Sequence, residues 1–553
     1  MIPIKLALLW HQHQPDYRAG ERMALPWVRL HATKDYLEMA QHLERYPKMR
    51  ATINLVPILI KQIEAYQDGI EDDLLHIEKK ETNSLTAKER TLLLSECFHA
   101  NYSRVISRST RYTELYQKKN RGETFTNDEL RDLTIHYGLA WTGEFVREEE
   151  PFKSLLAKDR DYSEKDKTEF LLAQERVIDR ILPLHISLFE KGQIEVSTTP
   201  YYHPILPLIC DTDSAKETVP NVPLPHKRFS NKDDAYEQVR RGKEVFEERF
   251  GSSPKGMWPS EGSISDEALK VLADENISWT ASDEAVLGNS LRHPNTEHDD
   301  KKYQELEKFF PRKFASGANE IVIFFRDHIL SDMIGFEYST WDARDAAVNF
   351  LEHCKTIRTS LIERFGEESL KTACISVILD GENCWESYPE NGKYFLNEFY
   401  TALTTTAEIE PVTFSQALTE IGKENIRPLS HVVAGSWVYG NFKIWIGEPE
   451  KNRAWDLLGE AREALHKYDP QTSETQEYYD AAHTSLLKAE GSDWFWWYDD
   501  DNASAQKQVF DELFRLHILE MYIHLRLPVP RELLQPVGKY ESLSDGGSMH
   551  KAA

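Results

Sequence analysis

The stretch ISVILDGENCWESY, residues 375–388, decides how the rest of the chain is read. Ile375 to Leu379 is rich in branched apolar side chains, the composition of a buried strand. It stops on a dense polar cluster of Asp380, Glu382, Asn383, Trp385 and Glu386. In barrel and open-sheet enzymes the carboxyl end of a strand opens into the ligand crevice, so carboxylates beside an indole at that point predict an active site. A strand ending in a solvated acidic turn is the other reading of the segment taken alone.

Other segments repeat the pattern. IKLALLW (4–10) reads as a buried strand and runs into His11-Gln12-His13-Gln14-Pro15-Asp16. Histidines at i and i+2 leaving a strand share one side, and a metal pair and a pair of hydrogen-bond donors fit that arrangement equally. QIEVSTT (193–199) leads into Pro200-Tyr201-Tyr202-His203-Pro204, where prolines fix the backbone around a ligand-contact candidate, His203, or around a buried, hydrogen-bonded one. Gly256-Met257-Trp258 breaks at Pro259 and exposes Ser260-Glu261-Gly262, a glycine there letting the backbone approach a ligand. Glu261 also suits the amino end of a helix over SISDEALKVLADEN.

ISWTASDEAVL (277–287) and EIVIFFRDHILSDMIGF (320–336) again place a strand before a polar cluster, Arg326-Asp327-His328 in the second. Helical patterns separate these strands. Such alternation predicts an α/β fold built as a β/α barrel, without fixing seven or eight strands. Residues 34–190 are mostly helical in pattern, and helical signals dominate again beyond about residue 390. The expected organisation is a catalytic barrel with helical insertions over 1–399, a helical domain contributing to the cleft over 400–530, and a flexible tail over 531–553.

Composition narrows the function. A chain of 553 residues with 40% hydrophobic content supports a large core. Its 92 acidic against 66 basic residues give a net charge of -26, which repels phosphate backbones and anionic membranes but not a neutral polymer. The 13 tryptophans include the group Trp494, Trp496 and Trp497, and clustered indoles suit the apolar faces of sugar rings or a large core. Five scattered cysteines without a CxxC pair fit reduced thiols in the cytoplasm. The first residues have too short an apolar core for a signal peptide, and no run of 18 apolar residues occurs.

Two carboxylates, Glu261 and Asp380, thus end separate strands among histidines and tryptophans, the minimum equipment for glycoside hydrolysis. The chain resembles glycoside hydrolase family 57, most closely its α-amylase and amylopullulanase-like members. Five pieces carry the resemblance in order: HQHQP (11–15), GQIEVSTTPYYHPILPL (192–208), GMWPSEGS (256–263), LDGENCWESY (379–388) and AEGSDWFWW (489–497). The resemblance implies a (β/α)7-type barrel followed by a helical C-terminal region, acting on α-glucans such as starch, glycogen and maltooligosaccharides with retention of configuration.

It also implies roles: Glu261 as nucleophile and Asp380 as general acid/base, with His13 and His203 lining the sugar site and Trp258, Trp437 and Trp494 beside it. His11, Asp493 and Asp327 join them as substrate neighbours. These roles need an ionised Glu261 and an Asp380 held protonated by burial and a nearby like charge. No metal or cofactor is required, although acidic loops leave room for a structural calcium. The amylopullulanase-like pieces favour hydrolysis of α-1,4 bonds and leave α-1,6 bonds open. A 4-α-glucanotransferase or branching enzyme shares the first half-reaction. Two other classes compete: a polysaccharide deacetylase using His11, His13 and Asp16 as metal ligands, and a non-catalytic glucan-binding protein.

Overall fold

The computed structural model describes residues 1–293, 305–498 and 506–538. Seven parallel strands form its centre: β1 (Ile4–Gln12), β2 (Ala51–Leu55), β3 (Ile194–Ser197), β4 (Gly256–Met257), β5 (Trp279–Asp283), β6 (Asn319–Arg326) and β7 (Cys374–Asp380). β1 lies between β2 and β7, β2 pairs with β3, β4 with β5, and β5 with β6. Two thin seams close the ring. Thr198 bridges to Met257 between β3 and β4, and Ser376 pairs with Arg326 between β6 and β7. At the second seam the Arg326 guanidinium donates through Nε to the Ile378 carbonyl at 2.7 Å, so a side chain does what the missing ladder would have done.

Strand periodicity sorts residues into two cores. Along β1, Leu6, Leu8 and Trp10 join the large outer core under the helices, while Ala7 and Leu9 join an inner core with Trp279, Ala281, Val322, Phe324 and Ile378. Both faces of each strand are covered, which is why these strands read as continuous apolar runs. Gly256 makes room inside the barrel: a Cβ there would lie 1.8 Å from the Trp279 ring.

The barrel does not end at residue 399. Strand Ile409–Val412 pairs in parallel with the lower half of β1, and helix Phe414–Ile421 plugs the amino-terminal mouth. Phe414 stacks on Trp279 with ring centroids 4.7 Å apart and meets Phe324 edge-on at 5.0 Å. Ser415 and Trp279 together donate to the buried Glu195 carboxylate, at 2.5 and 2.9 Å to Oε1. An antiparallel strand, Arg312–Ser316, also flanks β6, an addition to the alternating pattern.

Helices fill the insertion between β2 and β3, from Pro57–Gln67 to Ile181–Glu190. Beyond the plug, helices Pro449–Lys467, Ser473–Ala489 and Lys507–His524 pack together, and the short helix Ser492–Trp496 points back toward the barrel. The tryptophan group is therefore helical at its start. Trp494 is buried, its indole donating to the Lys488 carbonyl at 2.7 Å and its ring lying against His517 and Phe510. Residues 531–538 of the expected tail are packed, with Leu533 and Val537 buried and the Val537 amide donating to Asp511. The tail beyond 538 lies outside the described residues.

Truncating either ring leaves a large void that rigid strands and helices cannot fill. Phe414→Ala and Trp494→Ala should each destabilise the fold by about 3–5 kcal/mol. Denaturant unfolding checks this, and midpoints equal to wild type would show that the plug and the indole are not structural.

Candidate active site

A cavity of about 480 Å³ opens at the carboxyl ends of the strands, between the barrel and the C-terminal helices. Its floor is set by register. β1 and β7 pair with His11 level with Asp380, and β1 and β2 pair with His11 level with Asn54. His11 Nδ1 meets Asn54 Oδ1 at 2.7 Å, and Asn54 Nδ2 donates to Ser197 Oγ and the Thr198 carbonyl. Asp380 points inward because it is in phase with Ile378 and Cys374 on β7.

Glu261 is held differently. It lies in the left-handed region at φ 58°, followed by Gly262 at φ 61°, where a Cβ would lie 2.6 Å from Trp258. A non-glycine residue in that region costs about 1–3 kcal/mol and persists only where its surroundings over-determine it. Trp437 supplies the determination twice, its amide donating to the Glu261 carbonyl at 3.0 Å and its indole N–H to Glu261 Oε2 at 2.7 Å. Ile264 and Gly435 exchange amide hydrogen bonds beside it, fastening the two segments. Glu261 is not the start of a helix; that helix begins at Asp266, capped by Ser265.

Both carboxyls are raised, Glu261 included, although its expected role needs it ionised. Burial first and the Asp380 charge second push Glu261 up to about 8, against the pull of the Trp437 donor, and Asp493 adds to the rise. Burial raises Asp380 too, but the Asn383 amide, His13 and Arg326 work against it. Glu382, whose Oε1 accepts from the His13 amide at 3.0 Å, is pushed well above its usual range by burial and by Asp380.

The histidines converge with Asp493. His13 Nε2 lies 2.9 Å from Asp493 Oδ1, and its ring stacks on His203 at a centroid distance of 3.8 Å. His203 Nδ1 meets Ser492 Oγ at 2.9 Å. Burial drives His11 down to about 3 and His203 well below its ordinary value, so both are neutral.

His11, His13, Glu261, Asp380, Trp437 and Asp493 line the cavity; His203 is buried directly behind His13. Besides His203, three expected neighbours do not line it. Trp258 belongs to the barrel's inner core, edge-on beneath Trp437 at 5.3 Å. Trp494 faces the helices, and Trp496 and Trp497 face the cavity instead. Asp327 points away from the barrel axis, caps helix His328–Asp332 through the Leu330 amide and pairs with Lys308 at 2.9 Å. Its neighbours Arg326 and His328 line the cavity. The neighbouring Asp283 and Asp332 carboxylates, the latter accepting from His328 Nε2 at 3.0 Å, raise His328 to about 10.

The far wall, unforeseen from sequence, is made by Trp27, His31 and Trp141. Trp27 and Trp141 meet edge-to-face at 5.4 Å, and single tryptophans on amphipathic helical segments carry no mark that separates them from core.

The deacetylase ligand set does not form. Asp16 is committed to Arg18, with bonds of 2.8 and 2.9 Å, and does not converge with His11 and His13. Among the described residues no cage of acidic side chains suited to calcium converges either. The arrangement offers two carboxyls of unequal acidity facing one aromatic-walled cleft, which suits proton donation and nucleophilic attack on a neutral, hydroxyl-rich substrate.

Three comparisons bear on what this architecture is. A 96-residue stretch is 28% identical to alpha-amylase 1 of Dictyoglomus thermophilum, covering 17% of this chain and only 11% of that protein. The fold is similar to a crystallised GH57 branching enzyme from Thermococcus kodakaraensis, with a TM-score of 0.60 and 15% identity over 95% of this chain and 90% of that one. It is also similar to an alpha-amylase from Thermotoga maritima, at 0.57 and 15% over 97% and 96% of the two chains. Residues 7–432 match the sequence profile of Glycosyl hydrolase family 57, from within β1 through the barrel plug, and the chain belongs to that family of glycoside hydrolases.

Proposed function

We propose that the protein is a retaining enzyme of α-glucan metabolism, of amylase or amylopullulanase type, that breaks α-1,4 bonds and takes α-1,6 bonds as a second target. The observation carrying this reading is the pair Glu261 and Asp380, presented by separate elements to one cleft and both raised in pKa. Glu261 attacks the anomeric carbon and forms a glycosyl ester, while Asp380 gives its proton to the departing glycosidic oxygen. Asp380 then takes a proton from water, whose oxygen displaces Glu261.

That sequence needs the proton shared by the pair to sit on Asp380 and Glu261 to be ionised, whereas burial raises both carboxyls in the free protein. Positive charge developing on the sugar next to Glu261 favours the ionised form there and moves the proton to its partner. Trp437 assists by donating to the ionised carboxylate. His13 and Asp493, joined to each other, offer a donor and an acceptor to sugar hydroxyls, and Trp496, Trp497 and Trp437 offer ring faces.

The wall of Trp27 and Trp141 supports a second reading, because it extends the same cavity with a surface on which an acceptor sugar can stack. Transfer by a 4-α-glucanotransferase or branching enzyme then differs only in what replaces water. Product analysis on maltooligosaccharides and pullulan separates the readings. Starch, glycogen and shorter maltooligosaccharides fit the net charge of -26, and five buried, unpaired cysteines support a cytoplasmic location. Among the described residues no helix is long and apolar enough to cross a membrane.

Glu261→Gln should reduce glucan cleavage by about 1,000-fold or more, since an amide cannot form the glycosyl ester. Retention of a tenth of wild-type turnover would reject the assignment. Asp380→Asn should slow glycosylation by natural glucans at least about 100-fold yet spare an aryl glycoside whose phenolate leaves unprotonated. Pre-steady-state bursts measure this, and equal losses on both substrates would count against an acid role.

Stability gives an independent check. Glu261 has a folded pKa of about 8, above the ordinary carboxyl value, so the native state holds a proton that the unfolded chain releases earlier. Its contribution is intact below about pH 4.3, weakens as pH rises toward 8, and then levels off. Glu261→Gln should therefore unfold at a higher temperature than wild type at pH 8.5, by a margin that grows between pH 4 and pH 8, and nearly with it at pH 4. Equal shifts at both pH values would show that the carboxyl is not perturbed.

A further inference from the structure

The meeting of His13, His203 and Asp493 has a feature that sugar binding alone does not require. One ligand atom from each of the three lies within 4.8 Å of the others, and they form the one such convergent group of His, Cys, Asp or Glu side chains among the described residues. His203 is fully buried, and its Nε2 has no protein partner although Nδ1 is occupied by Ser492 Oγ. A buried imidazole with one nitrogen tied to a hydroxyl and the other left without a protein partner, beside a second imidazole and a carboxylate, matches the way proteins orient a histidine toward a metal.

We propose that His13, His203 and Asp493 form a binding site for a single borderline transition-metal ion of the zinc class, and that this ion and the glucan exclude each other. The exclusion rests on the reading of the cleft as a glucan site.

Rigidity comes from two directions. The Ser492 amide donates to the His203 carbonyl at 2.9 Å, and Pro204 forms a backbone bridge to Gly491, so the loop after β3 and the segment bearing Asp493 are joined across the cleft. His203 itself is held at φ 58°, in the left-handed region. On the other side the His13 amide donates to Glu382. Donor atoms around a four-coordinate ion stand about 3.3–3.5 Å apart, given bonds of about 2.0–2.1 Å, so binding must draw the three donors closer than the 4.8 Å limit within which they lie and turn His13 off its stack on His203.

The donor set chooses the metal. Two imidazoles and one carboxylate suit zinc, cobalt, nickel or copper, whereas calcium and magnesium need oxygen ligands. Three protein ligands leave an open position toward the cavity. The bound ion takes the lone pairs of His13 and Asp493 that would otherwise serve sugar hydroxyls. The catalytic steps proposed above use no metal, so the site would withdraw activity rather than supply it.

Cobalt(II) is the probe, titrated into the intact, chelator-treated protein while visible ligand-field absorption is recorded. The expected result is an intense band of a four- or five-coordinate ion that saturates at one equivalent and is displaced by zinc but not by calcium or magnesium. His203→Gln and Asp493→Asn should each weaken cobalt binding by about 10-fold or more. His203 is buried, so Asp493→Asn, a partly exposed and nearly isosteric change, keeps the test valid if the first variant unfolds. Adding maltooligosaccharide should raise the apparent cobalt dissociation constant at least several-fold, and zinc should raise KM with kcat unchanged. A band of wild-type strength in Asp493→Asn, or none in the wild type, overturns the site. A band that Asp493→Asn abolishes but maltooligosaccharide leaves untouched upholds the site and overturns the exclusion.

Discussion

The parallel pairing of β1 with β7 is the contact on which the cleft depends. It fixes the phase of two strands at once, turning His11 and Asp380 to the barrel axis at the same level. A slip of one residue would send Asp380 into the helical layer, since side chains alternate with a period of two. Asp380 is thus positioned by a ladder of backbone hydrogen bonds. Glu261 is positioned by a turn in a rarely used conformation and by the indole and amide of Trp437, contributed from beyond the barrel plug. One carboxyl is set by the central strand pair of the barrel and the other by a clasp between segments far apart in sequence.

The cleft is also an electrostatic compromise. Glu261, Asp380 and Glu382 are brought together with few cations, and each is raised. Arg326 offsets Asp380 only after Asn383 and His13, and its guanidinium is shared among the Ile378 carbonyl, Asp283 and Asp332. A fully compensated cluster would hold every carboxyl ionised and leave no proton to give. Partial compensation keeps one available, and its location responds to charge on the ligand.

Much of this was legible in the sequence because strand ends carry their chemistry in short, ordered motifs. The barrel, the two carboxyls and the His13, Asp493 and Trp437 positions all come from such pieces. The plug was not legible: Pro411 interrupts a short apolar run, and a proline normally argues against a strand. Asp327 was expected in the cleft because it follows a strand, yet Val322, Phe324 and Arg326 share the inward phase and Asp327 is one step past it. The choice between Trp494 and its neighbours was closed to sequence for the analogous reason in a helix. Adjacent residues there point about 100° apart, and which indole meets the cleft depends on how the helix is rotated against its partners.

The plug has a consequence for how the chain is made. β1 is synthesised well before two of its neighbours, β7, whose pairing begins at Cys374, and the strand Ile409–Val412. Phe414 then closes the inner core. During synthesis the apolar strand β1 therefore waits, while the intervening chain is made, for partners that cover it, and closing so long a loop slows folding. A nascent chain stopped short of residue 409 presents an open-ended barrel with exposed apolar lining, the kind of intermediate that associates with its own copies or with chaperones.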